Sequence, residues 1–122
     1  MSEVPVRTLI SPLRYVQARG ALTRLGEFVR PIGTKPLLVA DDVVWGIVQD
    51  TVAVSFQEQD LPRHRTGFGT YATAAEVDRL AREIDELGAD VLVGIGGGSS
   101  IDAVKDAGHL RGLRRVAVPA GG

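Results

Sequence analysis

The segment from Val91 to Lys105 constrains this chain more than any other. An apolar run, Val91 to Ile95, leads into glycines at 94, 96, 97 and 98, and a helical pattern begins at Ser99. Short apolar runs without alternation are strands buried on both faces, as in parallel sheets covered by helices on either side. Glycines lack Cβ, so the backbone can turn tightly and bring its N–H groups against a phosphate, and the following helix N-terminus adds partial positive charge. A strand, glycine turn and helix in succession therefore predict a phosphate-binding element at the carboxyl end of a parallel strand.

The rest of the chain alternates in the same way. Leu22, Leu25, Phe28 and Val29 recur at helical spacing over Ala21 to Val29, and Pro31 and Gly33 stop the pattern. Leu37 to Ala40 reads as a buried strand. After Asp41-Asp42 comes a helix whose apolar face is expected to hold Val44, Ile47, Val48, Thr51, Val52 and Phe56. Arg63 to Phe68 supplies an edge strand. Thr73-Ala74-Ala75-Glu76 is a capping box, with the Thr hydroxyl and the Glu carboxylate each expected to satisfy a backbone N–H at the helix start, and Gly88 ends that helix. Ser99 to about His109 is the next helix, and Val116 to Val118 begins a further strand. Near the N-terminus, Arg7 to Ile10 and Tyr15 to Ala18 are β-like, and Ser11-Pro12-Leu13-Arg14 between them favours a turn or strand edge. The expected fold class is α/β, a parallel sheet with helices on both faces in a Rossmann-like nucleotide-binding domain. The 122 residues accommodate one such domain. The stop at Pro119-Ala120-Gly121-Gly122, right after a strand, suggests a domain cut short at its C-terminus.

The glycine turn meets neither common signature. A dinucleotide G-x-G-x-x-G read from Gly94 needs glycine where Ser99 stands, and no Gly-Lys-Ser/Thr ending follows. A pyrophosphate still fits its geometry. Asp102 and Lys105, three residues apart on the new helix, share a face and are within reach of ribose hydroxyls and the nicotinamide side of a dinucleotide.

Composition narrows the partners. A formal net charge of −1 gives no long-range positive field, which argues against nucleic acid. The absence of cysteine removes disulfides, thiolate nucleophiles and Cys-ligated metals. Met1 to Leu13 carries Glu3, Pro5, Arg7 and Pro12 and lacks the apolar stretch of a signal peptide or membrane span, so the expected compartment is the cytoplasm, with no membrane partner. Trp45 reads as a packing residue. His64 reads as solvated, His109 as complementing a helix dipole, and Arg111, Arg114 and Arg115 as a solvated face after a helix.

Gly96-Gly97-Gly98-Ser99-Ser100-Ile101-Asp102-Ala103-Val104-Lys105 resembles the G-G-G-S-x-x-D-x-x-K signature of the iron-containing (group III) alcohol dehydrogenases. Ser11 to Gln17, Leu25 to Phe28, Leu37 to Asp41 and Glu76 to Leu80 are similar, in order and spacing, to the N-terminal coenzyme-binding domain of the glycerol-oxidising branch of that family. The resemblance implies an enzyme that oxidises glycerol or a related small alcohol by hydride transfer to NAD, with a divalent metal, zinc or iron. It implies that Gly96, Gly97, Gly98 and Ser99 hold the pyrophosphate, that Asp102 and Lys105 lie near the nicotinamide ribose, and that Asp41 meets the adenosine ribose. A carboxylate after the first core strand also accepts the ribose 2′-OH and repels a 2′-phosphate, favouring NAD over NADP. The alternative for Asp41 is a helix N-cap, with Asp42 competing for either role.

Three departures accompany the resemblance. The family's metal ligands, an aspartate and histidines, belong to a C-terminal helical domain, and neither His64 nor His109 is expected to replace them. Ala120-Gly121-Gly122 and Phe68-Gly69-Thr70-Tyr71 also differ from the family's loops, the latter from a further glycine and an acidic residue. The chain is therefore expected to bind coenzyme but to lack turnover alone. The alternative is a non-catalytic nucleotide-binding module or a partner subunit, and oligomer formation is compatible with either.

Overall fold

The sheet is built round the most apolar segment of the chain. In the computed structural model, which describes residues 13–15, 20–69 and 71–119, strand β4 (Val91–Gly96) is buried at every position. It lies between β2 (Pro36–Val39) and β5 (Arg114–Pro119). Strand β3 (His64–Thr66) adds to the far side of β2 and β1 (Leu13–Tyr15) to the far side of β5. The order is β1-β5-β4-β2-β3 and every pairing is parallel. This is the α/β, Rossmann-like arrangement expected from the alternation.

Two helical layers cover the sheet. A 3-10 turn, Ala21–Arg24, runs into the short helix α1 (Leu25–Val29), and the longer helices are α2 (Asp42–Glu58), α3 (Ala74–Leu87) and α4 (Gly98–Arg111). Leu25, Val29, Val48, Val52 and Phe56 pack on Leu38, Val93, Ile95 and Val116, whereas Leu80, Ile84, Val104 and Ala107 pack on Leu37, Val39 and Leu92. Successive strand residues point to opposite faces, so the continuous apolar runs are what two covered faces require. Each fully buried Leu or Val contributes about 1.5–3 kcal/mol relative to exposure, which makes both layers obligatory. No described helix is long and apolar enough to cross a membrane.

The helix ends follow local chemistry. Asp41 and Thr73 cap α2 and α3, their side chains accepting the N–H of Val44 and Glu76. Gly88 and Gly112 end α3 and α4 in the left-handed conformation, which costs glycine no Cβ clash. The edge strand expected within Arg63 to Phe68 forms at His64–Thr66.

Of the turn or strand edge expected at Ser11 to Arg14, Leu13 and Arg14 form part of the edge strand β1, paired with Arg115 and Val116; Arg7 to Ile10 and most of Tyr15 to Ala18 lie outside the described residues. Three expectations are corrected. Ile47, placed on the buried face of its helix, is 77% exposed, while Ser55 is buried and accepts the Gly26 N–H. The capping box is half made, because the Glu76 carboxylate bonds to the Gly69 N–H at 2.7 Å instead of returning to the helix start. Arg115 is buried rather than solvated, and donates to the carbonyl of Lys105. Arg111 pairs with Asp85 across the α3–α4 contact. His64 and His109 are exposed, and Trp45 packs on the core.

Candidate functional site

Strand order fixes where a ligand can enter. From β2 the chain passes over one face through α2 to β3, and from β4 it passes over the other face through α4 to β5 in the opposite direction. The connections diverge between β2 and β4 and leave a crevice at their carboxyl ends, the usual ligand position in open parallel sheets. A cleft of about 480 Å³ lies there, in the size range of small-molecule sites. Its walls are Asp41 to Val43 after β2, Phe68 and Gly69 after β3, and Gly97 to Ser100 after β4.

The four glycines of the turn have three separate reasons. At Gly94 a Cβ would stand 3.0 Å from Val104, so glycine lets α4 lie close on its strand. Gly96 has φ +136, a conformation that side-chain-bearing residues rarely adopt, and is buried under the turn. Gly97 and Gly98 have neither reason: φ is −83 at Gly97, neither is among the residues with positive φ, and a Cβ on either would meet nothing within 4 Å. The space that glycine keeps open at 97 and 98 is the cleft.

The N-terminus of α4 differs from those of α2 and α3. Gly97 is its N-cap and provides no side-chain cap. The Ser100 hydroxyl donates back to the Gly97 carbonyl at 3.0 Å rather than accepting from the first turn. Opening N–H groups of a helix need an acceptor from a cap, water or ligand, and the helix dipole favours an anion among these. The donor set and the missing Cβ atoms suit a pyrophosphate.

Asp41 stands on the opposite wall. Its Oδ1 accepts the Val44 N–H at 2.8 Å, so the N-cap alternative is realised, but capping does not remove Asp41 from the cleft. Asp42 is ion-paired to Arg65 at 2.8 Å. Arg65 also donates to the Ala40 carbonyl at 2.7 and 3.2 Å and lies 5.6 Å from the Trp45 ring centroid. Thus one arginine from the edge strand holds the end of β2 in place. Nothing local in the sequence marks it, because all three contacts join residues 20 or more positions apart.

The structure brings Asp41, Gly97, Gly98 and Ser99 round one cleft, with Gly96 buried beneath. Asp102 is exposed and Lys105 half-buried further along α4, outside the described lining. Phe68, Gly69 and Ser100 line the cleft without having been singled out as site residues. Among the described residues, no group of three or more acidic or histidine side chains gathers as a metal site requires.

The family model described as iron-containing alcohol dehydrogenase matches residues 12–118. The chain belongs to the iron-containing alcohol dehydrogenases. Within them it is 36% identical over 99 residues to a glycerol dehydrogenase of Pseudomonas putida, a match covering 81% of this chain and 27% of that protein. It is 33% identical over 113 residues to the glycerol dehydrogenase of Escherichia coli, covering 93% of this chain and 31% of that one. The crystal structure of glycerol dehydrogenase from Schizosaccharomyces pombe superimposes with a TM-score of 0.76 at 30% identity, over 86% of this chain and 27% of that one. The chain thus spans under a third of the length of the curated relatives it matches, and shares the Rossmann-like α/β fold of that part of them.

Proposed function

We propose that this chain is the NAD-binding portion of a glycerol or related small-alcohol dehydrogenase, and that it binds NAD(H) in the cleft without oxidising alcohol alone. The observation that carries the reading is the pair Gly97 and Gly98, whose lack of side chains neither backbone conformation nor packing explains, at an uncapped helix start facing the cleft. Their N–H groups and that of Ser99 suit the pyrophosphate. Asp41 suits the 2′-OH of the adenosine ribose and disfavours a 2′-phosphate in the same place. Asp102 and Lys105, on the same helix, are assigned to the nicotinamide side. When bound, NAD supplies the hydride acceptor.

Alcohol oxidation also needs a group that polarises the hydroxyl and receives its proton. The described cleft walls carry the carboxylates of Asp41 and Asp42, one engaged in a cap and the other in an ion pair, and no imidazole. In the family that role falls to zinc or iron, and the described residues do not fit such an ion. The same reading places the chain in the cytoplasm with the soluble NAD(H) pool.

Titrating NADH while following Trp45 emission tests binding. A saturable change supports the reading, and none in a folded sample refutes it. Assay with glycerol, NAD and zinc is expected to show no turnover above buffer, and steady turnover by the pure chain refutes the second half of the proposal.

A further inference from the structure

The third wall of the cleft is Phe68, which lies between Gly67 and Gly69. Two flanking glycines give a loop residue the least intrinsic order, since glycine loses more conformational freedom than any other residue when fixed. Both flanks are nevertheless tied to α3. The Gly69 N–H donates to Oε2 of Glu76 at 2.7 Å, and the Gly67 carbonyl accepts from Nη2 of Arg79 at 2.7 Å. Arg79 holds Glu76 through Nε at 2.7 Å and Nη2 at 3.0 Å. It also donates to the Thr66 hydroxyl at 2.9 Å and to Glu83, which in turn accepts the Thr66 hydroxyl at 2.7 Å. The clamp therefore grips the backbone on either side of Phe68, whose half-buried side chain also packs against the cluster of Leu37, Val39 and Leu80 while lining the cleft.

The chemistry of the clamp explains the diverted capping box. A carboxylate at the third helical position ordinarily returns to the N-cap backbone. Here the Gly69 N–H and the Arg79 guanidinium offer Glu76 a loop donor and a charge-assisted partner together, and bonds of that kind are roughly twice as strong as neutral ones.

Resting on the coenzyme-binding reading above, we propose that Phe68 is a ligand-contacting wall of the NAD cleft and that Glu76 and Arg79 are the positioning residues that hold it there. The clamp lets a glycine-flanked aromatic ring be presented to the coenzyme already ordered, so that binding does not have to freeze the loop. Glu76 and Arg79 act on affinity only through residues 67 to 69, and this sets them apart from residues that merely stabilise α3.

The test is a double-mutant cycle read by NADH titration on the full chain, with each variant's melt recorded. Phe68→Ala and Glu76→Ala are each expected to weaken NADH binding on the order of tenfold, about 1.4 kcal/mol, and Glu76→Gln, which keeps an acceptor for Gly69, to recover part of the loss. In the Phe68→Ala background, Glu76→Ala is expected to weaken binding by much less than tenfold, because the ring is its main route to the ligand and only the Gly69 backbone still joins it to the cleft. Additive losses, or a Glu76→Ala variant that melts lower but binds NADH like the parent, overturn the proposal. If Glu76→Ala does not fold, the cycle is run with Glu76→Gln and Arg79→Lys, and the same additivity decides. A parent chain that binds no NADH sinks the underlying reading instead, so the two failures are distinguishable.

Discussion

The Asp41 carboxylate accepts the N–H of Val44 at 2.8 Å, and the same residue lines the cleft together with Gly97 and Gly98. One residue thus starts a 17-residue helix and, on the proposed reading, supplies the ribose contact. The two duties separate by substitution. Asparagine caps a helix about as well as aspartate, so Asp41→Asn should leave the melting temperature nearly unchanged, whereas Asp41→Ala should cost about 1 kcal/mol. Both should weaken NADH binding, and the asparagine variant should lose preference for NADH over NADPH. Parallel melts and titrations with the two coenzymes check this. An Asp41→Asn variant that binds both as the parent does would remove the ribose role and leave only the cap.

The glycines should likewise separate. Alanine at 97 or 98 meets nothing within 4 Å and neither position has positive φ. At 98 stability should stay level or rise by about 0.4–1 kcal/mol as the unfolded chain loses freedom, whereas at 97, the N-cap, alanine caps less well than glycine and stability should fall by up to about 1 kcal/mol. NADH affinity should fall sharply, since the methyl group occupies the space the pyrophosphate needs. Gly96→Ala, at φ +136 with a Cβ 3.1 Å from the Ser100 hydroxyl, should lose stability as well. Denaturation curves beside binding curves make the comparison, and unchanged affinity in Gly97→Ala and Gly98→Ala together would remove the phosphate from the turn.

Acid should loosen a contact at the opposite end of the sheet. Burial pushes the Asp90 carboxyl pKa up, but the N–H groups of Thr34 and Lys35 and the Thr34 hydroxyl, at 2.8–3.1 Å, outweigh it and hold the group below the usual carboxylate value. The folded state therefore holds its proton less tightly than the unfolded chain. The stabilisation is present above about pH 4 and lost as pH falls through the depressed folded value. Glu76, held low chiefly by its hydrogen bond from Arg79, acts in the same direction. Melting temperature should accordingly fall from pH 5 toward pH 3, and Asp90→Asn should flatten part of that slope. An identical slope in parent and variant would count against the assignment.

How much of this was written in the sequence depends on how local each cause is. The glycine turn, the β2 and β4 strands and the Thr73 cap each follow from neighbours within a few residues, and the structure has them where the pattern puts them. Helix α2 was legible in its phase except at one edge. Val48, Val52 and Phe56 of the expected face are buried and Val44 and Thr51 half-buried, but Ile47 is 77% exposed and Ser55 lies inside instead. Contact with the sheet chose that phase, and Ser55 enters because its hydroxyl takes the Gly26 N–H. Arg65, Glu76 and Arg115 were misread or missed for one reason: the partner of each lies across a loop or on another strand or helix.

Arg115 offers the last prediction. It points from β5 into the layer beneath α4, only 8% exposed, and its aliphatic stem fills the place of a Gly108 side chain: a Cβ there would lie 2.3 Å from Cδ. Burial lowers its pKa, with Asp106 opposing the effect. Among the described residues Nε has no partner, and Nη1 bonds to the Lys105 carbonyl at 2.6 Å. A buried charge without a paired carboxylate stabilises little, and an apolar side chain of similar length often does as well or better. Arg115→Met should therefore leave the melting temperature level or raise it, while Arg115→Ala should lower it by opening a cavity against Gly108. Gly108→Val should be strongly destabilising in the parent and less so beside Arg115→Ala, since the missing stem makes room for the new side chain. Equal losses from Gly108→Val in the two backgrounds would show that the clash at Gly108 is with something other than Arg115.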